Sequence, residues 1–474
     1  MPRAPGSATL LDLKAAVGAS GWIESAADVA PYLDDFRRLF HGATPLVLLP
    51  GSTREVAEVL RICSRDEVAV VPHGGNTSYC GGATPDASGT QIVLSMRRMN
   101  RVRELDAANF SIVAEAGCTL AAVQDAARAA QRLFPLSLGS EGSAQIGGNI
   151  ATNAGGTAVL RYGMMRDLVL GLEVVLADGR VLPALRKLRK DNTGYDVKSL
   201  FIGSEGTLGV ITAASLRLFP LPADSATALV SVASPAQALE LLVRLRASAG
   251  DQITTFELMP RRAVELAVEY IEGVADPLAD GARWYVLVEI GSAKLSGGSA
   301  SSLADDLAEA SAQCVISDAI VAASLAQAEA MWRLRESIPA AQTRHGASLK
   351  HDLSVPLSAL PELIERGSAL AARIVPDGET VAYGHAGDGN LHFNVSQRPG
   401  TDRAAFLGRQ GPLEEAMFDL TESLGGSFSA EHGIGRLRAA QLARRTDPVE
   451  ISLMRDFKRA LDPRGILNPG KLLA

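Results

Sequence analysis

The sequence contains few cysteines: there are four in 474 residues, at positions 63, 80, 118 and 314. No two of them have CxxC spacing and they form no disulfide framework, which is typical of a reducing cytosol. The chain also lacks an uncharged apolar run of about 18 residues, so no membrane span is predicted. Its start, MPRAPGSATLLDLKAAVG, lacks the apolar run of a signal peptide. We therefore expect a cytoplasmic protein, and the Ala- and Arg-rich composition favours a bacterial one.

An excess of basic residues is also missing. The 46 Lys and Arg residues are outnumbered by 53 Asp and Glu residues, for a formal charge of -7, and they are scattered. A nucleic-acid partner needs a basic stripe, so none is expected. The hydrophobic content of 47% is typical of a globular protein. A chain of this length predicts two or three domains.

Strands and helices alternate in the first half of the chain. PLVLLP (45–50) predicts a strand, TREVAEVLRICSRDE predicts an amphipathic helix with Thr53 as its N-cap, and VAVVPHGG returns to a strand. A strand–helix–strand unit of this kind predicts parallel strands. QIVLSM, SIVAEAG and LGLEVVLADGRVL predict further strands, the last with a hairpin turn at Asp178-Gly179.

From about residue 223 the pattern indicates an α+β region with an antiparallel sheet. PAQALELLVRLRASAG and SSLADDLAEASAQ predict amphipathic helices, and RWYVLVEIG predicts a strand. The tail, LMRDFKRALDPRGILNPGKLL, predicts a helix followed by a Pro-Gly turn.

Three segments, at 70–85, 136–163 and 191–212, are rich in glycine and small polar residues. Glycine lets the backbone approach a ligand closely, so that consecutive N–H groups can face an anion. Neither GxGxxG nor GxxxxGK[ST] is present. If the three segments converge on one elongated ligand, they predict a large cofactor with a diphosphate and a planar ring. The alternative is a set of ordinary surface loops.

Histidines and a carboxylate form a second notable pattern. In YGHAGDGNLHFNV, His385 and His392 lie on either side of a central Asp-Gly turn, so their rings can point to one side of a hairpin. SAEHGIG adds Glu431 from elsewhere in the chain. Two imidazoles and a carboxylate with open positions are typical of a catalytic zinc site. The alternative is that these histidines are hydrogen-bonded within the core.

The motifs PHGGNTS, IGGNIATNAGG, RYG, GLEVVLADGRV and LFIGSEGTLGVIT resemble the FAD-binding domain of the vanillyl-alcohol oxidase superfamily, the PCMH type. GHAGDGNLHFNV, SAEHGIG and LDPRGILNPGKL resemble the FAD-linked 2-hydroxy-acid dehydrogenase family in particular. The resemblance implies an α+β protein in four parts. These are an N-terminal helical segment (1–42), a PCMH-type FAD-binding domain (43–222), a ferredoxin-like α+β cap domain for substrate (223–425), and a C-terminal segment that returns to the flavin (426–474).

The resemblance also implies which residues bind FAD. The loop from Gly74 to Ser78 would hold the diphosphate through backbone N–H groups, and Asn468 would lie near the flavin ring. His73 and Cys80 are possible covalent attachment points by position, but a non-covalent flavin is expected. The full set of expected cofactor-binding residues is Pro72, Gly74, Gly75, Asn76, Thr77, Ser78, Gly139, Gly142, Gly148, Asn149, Thr152, Asn153, Gly155, Glu205, Gly206, Gly209, Ile211 and Asn468.

By the same resemblance, His385, His392 and Glu431 match metal ligands, for Zn²⁺ or another divalent ion such as Mn²⁺. A divalent cation lowers the pKa of a bound hydroxyl group by several units. His432, next to a ligand, would then be the general base for the substrate hydroxyl.

Substrate carboxylates need cations, and Arg335 and Lys350 match the substrate-binding cations of the family. Arg can bind a carboxylate through two parallel hydrogen bonds, whereas Lys acts as a point charge. Asn394 matches a substrate-contacting Asn, and it should lie on the same strand face as His392.

The implied reaction is oxidation of a D-2-hydroxy acid by hydride transfer to FAD. A second cation beyond the metal favours a dicarboxylate, with D-2-hydroxyglutarate as the first choice. One departure is Pro339, which occupies the position where the hydroxyglutarate enzymes carry Thr, as in the lactate and glycolate branches. D-malate and D-lactate therefore remain open.

The resemblance leaves several alternative functions open. A cytochrome-type D-lactate dehydrogenase and a glycolate oxidase flavin subunit are the rival enzymes, and a non-catalytic flavin subunit is the rival from another class. The non-redox synthase branch predicts no metal ligands, so GHAGDGNLHFN counts against it. No nicotinamide fingerprint is present, so an electron-transfer flavoprotein or a quinone is the expected acceptor. A homodimer is expected by family.

Overall fold

The computed structural model describes residues 2–278, 281–293 and 298–473. Its strands are β1 (Trp22–Ile23), β2 (Val47–Leu48), β3 (Val70–His73), β4 (Ile92–Ser95), β5 (Val102–Asp106), β6 (Ser111–Glu115), β7 (Arg132–Leu133), β8 (Val169–Val175), β9 (Val181–Ala184), β10 (Val210–Arg217), β11 (Phe219–Pro220), β12 (Asp224–Val232), β13 (Ile253–Pro260), β14 (Trp284–Ser292), β15 (Asp318–Val321), β16 (Ser348–Ser354), β17 (Gly378–Tyr383) and β18 (Asn390–Gln397).

The helices are α1 (Ser7–Val17), α2 (Ala26–Val29), α3 (Thr53–Asp66), α4 (Leu120–Ala129), α5 (Ile146–Ala151), α6 (Val159–Tyr162), α7 (Met165–Leu168), α8 (Pro235–Ala249), α9 (Arg261–Tyr270), α10 (Ser299–Ala312), α11 (Leu325–His345), α12 (Leu360–Ile374), α13 (Arg403–Leu407), α14 (Gln410–Ser423), α15 (Ala439–Arg445) and α16 (Pro448–Leu461). Within the described ranges, none of them is both long enough and apolar enough to cross a bilayer.

Internal packing divides the chain into two compact units. The first unit contains Met1–Gly155, Gly163–Leu221 and Glu431–Ala474. The second contains Gly156–Tyr162 and Pro222–Ala430.

The first unit contains a four-stranded sheet in the order β1-β2-β4-β3, in which β2 and β3 both run parallel to β4. The parallel arrangement predicted around α3 is therefore confirmed. The predicted N-cap is wrong: Ser52, not Thr53, has the extended backbone and accepts a hydrogen bond from Glu55 N at 3.2 Å. Thr53 is already helical, and its hydroxyl donates to Glu173 at 2.6 Å.

A second sheet of this unit is antiparallel, in the order β5-β6-β10-β8-β9. The Asp178-Gly179 turn joins β8 to β9, as predicted. Gly179 has a φ of +86°, a conformation that a side chain would strain, so glycine is required at this turn.

The C-terminal segment returns to β3, the strand that leads into the first glycine-rich loop. Val70 N donates to Ile466 O and Asn468 N donates to Val70 O, both at 2.8 Å. Lys458 secures this segment, because its ammonium group donates to Leu467 O and Thr207 O at 2.8 Å and to Asp462 at 2.5 Å. Its desolvation is offset by this charge partner and by two carbonyl groups.

The second unit contains an antiparallel sheet in the order β13-β14-β12-β15. The chain order is β12, α8, β13, β14, α10, β15, with α9 inserted before β14, so the connectivity is the predicted ferredoxin-like one. A buried cluster that includes Tyr285, Leu287, Leu334 and Ile338 joins this sheet to α9 and α11.

A second antiparallel sheet in this unit has the order β16-β18-β17. The β17–β18 hairpin contains the predicted Asp-Gly turn, with Gly389 at a φ of +86°. Tyr383, the last residue of β17, pairs with His392 of β18. The hairpin therefore brings the two ends of the histidine motif together.

Replacing Lys458 with Met should destabilise the first unit, because the buried Asp462 carboxylate would lose its charge partner. Breaking a buried pair of this kind typically costs about 3 kcal/mol or more. Urea denaturation measures the change. Lys187→Met is the matched control, because Lys187 pairs with Glu104 at the surface and should change the unfolding free energy by less than about 1 kcal/mol. Equal losses for both variants would contradict the assignment.

Candidate active site

The glycine-rich segments of the first unit lie against one another. A Cβ atom at Gly75 would lie 2.0 Å from Ser143 O, and one at Gly74 would lie 3.7 Å from Gln145 Oε1. A Cβ at Gly206 would lie 3.0 Å from Pro72 Cγ. The structure therefore brings together the three segments in which the sequence predicted cofactor-binding residues.

Three glycines of the middle segment have open space beside them instead. For Gly139, Gly142 and Gly148, no described atom lies within 4 Å of the position that a Cβ would take, apart from atoms of the adjacent residues and, for Gly148, of its own helix backbone. A ligand can approach the backbone closely at such positions. Gly74 to Ser78 and Gly148 are partly exposed rather than buried.

Several expected cofactor-binding residues have a left-handed backbone. Among the ten described non-glycine residues with positive φ, four belong to the expected set: Asn76, Asn153, Glu205 and Asn468, with φ between 43° and 52°. Such a conformation costs free energy and persists where the surroundings enforce it, as at ligand sites. Asn76 and Asn153 are held by side-chain hydrogen bonds to Asp34 O and Arg166 N.

Glu205 is buried and both of its carboxylate oxygens are used by the protein. They accept hydrogen bonds from Ile434 N and Gly435 N, each at 2.7 Å. Burial raises the pKa of Glu205 to about 6, although the two N–H groups oppose this shift. Asn468 Nδ2 donates to Glu205 O at 2.7 Å and to Gly82 O at 3.0 Å. These two side chains therefore tie the third glycine segment to the C-terminal segment.

Some buried polar atoms around these loops have no hydrogen-bond partner among the described residues. They are His73 Nδ1 and Nε2, Gln145 Oε1, Asn149 Nδ2 and Asn468 Oδ1. Burial lowers the pKa of His73 to about 4, so its ring is neutral at pH 7. Buried polar groups without partners are costly and rare in folded proteins. A cofactor with many polar atoms would satisfy them, so the residues present fit FAD.

The remaining expected residues of this unit differ in their surroundings. Thr77 and Ser78 continue the first glycine-rich segment, and Gly155 is buried within the second. The Thr152 hydroxyl donates to Gly148 O at 3.0 Å. Gly209 is packed tightly, since a Cβ there would lie 2.6 Å from Val174.

Ile211 is buried in β10, opposite Val174 of β8. Together with the packing of Gly209, this contact connects the third glycine segment to the sheet core. Cys80 is also buried, and its thiol contacts Gly433 O at 3.3 Å.

In the second unit, His385 and His392 are neighbours. Their ring centroids are 5.3 Å apart and the ring planes are 79° from parallel. His392 lies on β18, whereas His385 lies in the connection just after β17. The turn therefore brings the two rings together as the sequence predicted, although His385 is not part of a strand.

A carboxylate that the sequence reasoning missed connects two predicted residues of this unit. Glu257 is fully buried in β13. One of its oxygens contacts Arg335 Nε and Nη2 at 2.7 Å, and the other contacts His385 Nδ1 at 2.5 Å. Burial alone would raise the pKa of Glu257, but Arg335 and His385 outweigh burial and lower the pKa to about 2. The sequence signal was one acidic residue inside the apolar run ITTFELMP.

Tyr383 extends this cluster. The Arg335 guanidinium lies 4.9 Å from the centroid of its ring, and the His392 ring lies 5.4 Å from it. Arg335 itself is 6% exposed. Pro339 has no N–H group to donate to Arg335 O, so it weakens the helix one turn beyond the guanidinium.

Lys350 and Asn394 face each other in the β16–β18 pairing. Asn394 is buried, and its Nδ2 donates to Gln342 Oε1 at 3.0 Å. Because Asn394 follows His392 by two residues in β18, both side chains are on one face of the strand. Gln342 was another residue that the sequence reasoning missed.

Asp352 is a second buried carboxylate that the sequence reasoning missed. It pairs with His392 across the sheet, with Oδ1 4.0 Å from His392 Nδ1, and it accepts a hydrogen bond from Asn390 Nδ2 at 2.9 Å. Ala430, the last residue of the second unit, donates its N–H group to Asp352 O at 3.3 Å.

Glu431 and His432 begin the C-terminal part of the first unit. Glu431 Oε1 lies 3.5 Å from His432 Nε2. The His432 and Tyr79 rings form a T-shaped contact, with ring centroids 4.7 Å apart. Imidazole and carboxylate groups of this kind are donors that suit Zn²⁺, so the predicted ligand types fit a divalent metal.

The chain is similar to known proteins both in sequence and in fold. The family described as FAD linked oxidases, C-terminal domain, matches residues 221–472, and an FAD binding domain family matches residues 44–184. In fold, the chain is similar to p-cresol methylhydroxylase with substrate bound, at a TM-score of 0.76 and 16% identity, covering 98% of this chain and 96% of that one. The PCMH-type fold expected from the sequence is thereby confirmed.

Among curated proteins, the chain is 40% identical to the mitochondrial D-2-hydroxyglutarate dehydrogenase of Bos taurus, covering 95% of this chain and 81% of that protein. It is 37% identical to the D-2-hydroxyglutarate dehydrogenase of Xanthomonas citri pv. viticola, covering 98% and 96%. It is 34% identical to a D-2-hydroxyglutarate–pyruvate transhydrogenase of Saccharomyces cerevisiae, covering 95% and 90%.

Replacing Gly75 with Ala should weaken FAD binding. The added methyl group would lie 2.0 Å from Ser143 O, so it would push apart the first two glycine segments. Overpacking of this kind typically costs about 1–3 kcal/mol, which corresponds to a loss of affinity of about 5- to 150-fold. Flavin absorbance per purified chain and titration with FAD measure the loss.

Gly411→Ala is the matched control, because no described atom outside the adjacent residues and its own helix backbone lies within 4 Å of the added methyl group. This variant should retain FAD. Normal FAD affinity in Gly75→Ala would show that the contact between the two segments is not needed for the cofactor.

Proposed function

The chain belongs to the FAD-linked oxidase family as an FAD-dependent oxidoreductase, and we propose that it oxidises a D-2-hydroxy acid to the 2-oxo acid with FAD as hydride acceptor. D-2-hydroxyglutarate is the proposed substrate, since it is the substrate in the names of the cattle and Xanthomonas relatives. One observation carries the proposal: a guanidinium and two imidazoles are held in one cluster of the second unit. These are groups that bind a carboxylate and a metal.

Different parts of the chain are proposed to bind FAD, the substrate and the metal ion. FAD is proposed to bind non-covalently to residues of 43–222 and 426–474, and substrate to residues of 223–425. When bound, FAD accepts the hydride and a divalent cation such as Zn²⁺ or Mn²⁺ supplies Lewis acidity. His385, His392 and Glu431 are the proposed metal ligands.

Arg335 and Lys350 are proposed to bind the carboxylates of the substrate. The guanidinium of Arg335 is pre-oriented by Glu257 and Tyr383, so less conformational entropy is lost when it binds an anion. Lys350 and Asn394 lie opposite each other on neighbouring strands, which supports their acting on one ligand.

His432 is proposed to accept the proton of the 2-hydroxyl group through its imidazole. The contact with the Tyr79 ring and the proximity of Glu431 restrict the orientation of this imidazole. Removing the hydroxyl proton makes loss of the hydrogen on carbon 2 as hydride favourable, which is the contribution of a general base here.

A D-lactate dehydrogenase is the second candidate, and Pro339 is the observation that favours it. Pro339 follows Arg335 by one helical turn and offers neither a hydroxyl nor an N–H group. A distal carboxylate would therefore receive no hydrogen bond from this position. The preference for a dicarboxylate then depends on Lys350.

The electron acceptor is proposed to be an electron-transfer flavoprotein or a quinone. The name of the yeast relative adds a 2-oxo acid, pyruvate, as a further acceptor class to test. A homodimer and a location in the bacterial cytoplasm complete the proposal. Size-exclusion chromatography and cell fractionation test these two points.

Anaerobic reduction of the bound flavin tests the reaction. We expect D-2-hydroxyglutarate to bleach the flavin band with a higher kcat/KM than D-lactate, D-malate or glycolate, and the L-enantiomers to be inactive. A preference for D-lactate would favour the second candidate. Chelation should abolish reduction and Zn²⁺ or Mn²⁺ should restore it. Absence of bound flavin, or equal reduction by both enantiomers, would contradict the proposal.

His432→Ala should slow flavin reduction by roughly 100-fold or more, since the general base is lost. Bound flavin and bound metal should be unchanged, because His432 is not one of the proposed ligands. Stopped-flow absorbance measures the rate. His345→Ala is the control, since His345 contacts Tyr270 at the end of α11 and has no proposed role. A His432→Ala rate within threefold of the wild type would exclude this role.

A further inference from the structure

We propose that Glu257 is a positioning residue that orients His385 for the metal and Arg335 for the substrate through the two oxygens of one carboxylate. This inference rests on the proposed function, because it takes the roles of His385 and Arg335 from it. It concerns a residue that lies far from the others in sequence and was not part of any motif.

The contact at His385 determines which ring nitrogen faces a metal. Its Nδ1 lies 2.5 Å from Glu257 Oε1, so Nδ1 carries the proton and donates to the carboxylate. A neutral imidazole of this tautomer presents its lone pair at Nε2. Metal-binding histidines commonly donate their other N–H group to a carboxylate, which fixes the ring orientation and increases the basicity of the ligand nitrogen.

The contact at Arg335 fixes the plane of the guanidinium. Both Nε and Nη2 lie 2.7 Å from Glu257 Oε2, and the Tyr383 ring lies 4.9 Å from the guanidinium carbon. A guanidinium carries five N–H groups, so this contact does not exhaust its donors. Glu257 therefore uses two of these N–H groups to orient Arg335.

Charge gives a second reason for a carboxylate at this position. A divalent cation bound at His385 and the guanidinium of Arg335 would repel each other, because charges interact strongly where water is excluded. Glu257 lies between the side chains of Arg335 and His385, with one oxygen toward each. Its backbone is held in the middle of β13, which pairs with β14, so the carboxylate is fixed in place.

The simpler alternative is a buried ion pair that only stabilises the fold. Zn²⁺ affinity separates the two, because a general structural role does not weaken one metal ligand specifically. The control is Glu289→Gln. Glu289 lies in the same sheet and accepts hydrogen bonds from Trp332 Nε1 at 2.9 Å and from the Thr227 hydroxyl at 3.2 Å.

The experiment titrates metal-free, FAD-loaded protein with Zn²⁺ in competition with a chromophoric chelator. Glu257→Gln should bind Zn²⁺ about 10–100-fold more weakly than the wild type, the usual effect of losing such a partner. Glu257→Asp should show a smaller loss of Zn²⁺ affinity. The carboxylate is retained, but the shorter side chain cannot contact both partners. Glu289→Gln should match the wild type.

Two further readouts accompany this titration. Substitution with Co²⁺ should give a visible spectrum that differs between Glu257→Gln and the wild type, because the orientation of His385 changes. The KM for the hydroxy acid should rise in Glu257→Gln, because Arg335 loses its orientation. Flavin absorbance reports that each variant is folded.

The outcomes distinguish the two proposals. If folded Glu257→Gln binds Zn²⁺ as tightly as the wild type, or if Glu289→Gln loses as much affinity, this inference is wrong and the proposed function stands. If the wild type binds no divalent metal, the metal-assisted function and this inference both fail. If Glu257→Gln does not fold, Glu257→Asp decides, and wild-type Zn²⁺ affinity in that variant overturns the inference.

Discussion

A buried charge must be paired, and the second unit is organised around one such pairing. Glu257 is fully buried, yet burial fails to raise its pKa because Arg335 and His385 contact its two oxygens. The contact also positions each partner. Loss of either partner would leave the buried carboxylate incompletely paired, which would destabilise the protein. The geometry of the polar cluster in this unit therefore depends on one buried carboxylate.

In the first unit, by contrast, several buried polar atoms have no hydrogen-bond partner among the described residues. They belong to His73, Gln145, Asn149 and Asn468, around loops that approach within van der Waals distance of one another. Left-handed residues in the same loops add conformational cost. A bound cofactor offsets these free-energy costs. The loops that are least stable without a ligand are therefore those that the cofactor stabilises.

Sequence reasoning succeeded where a short local pattern has one structural solution. The Asp-Gly turns at 178–179 and 388–389 formed the hairpins that were predicted, because a positive φ at the second residue favours glycine. The antiparallel sheet after residue 223 and the parallel strands around α3 followed from hydrophobic periodicity, whereas the ferredoxin-like connectivity was implied by the family resemblance. The N-cap of α3 was wrong by one residue, since Ser52 and Thr53 are both good caps and only the backbone conformation distinguishes them.

By itself, the sequence determined the order of strands and helices, the glycine-rich loops and the pairing of His385 with His392, because these depend on residues close together in the chain. Tertiary structure alone decided that Glu257 lies between Arg335 and His385, which are 78 and 128 residues away. The same holds for Glu205, whose carboxylate binds backbone groups 229 and 230 residues away. The physical reason is that no periodicity or spacing in the sequence identifies the partner of a carboxylate. The partner is the donor that tertiary packing brings within hydrogen-bond distance.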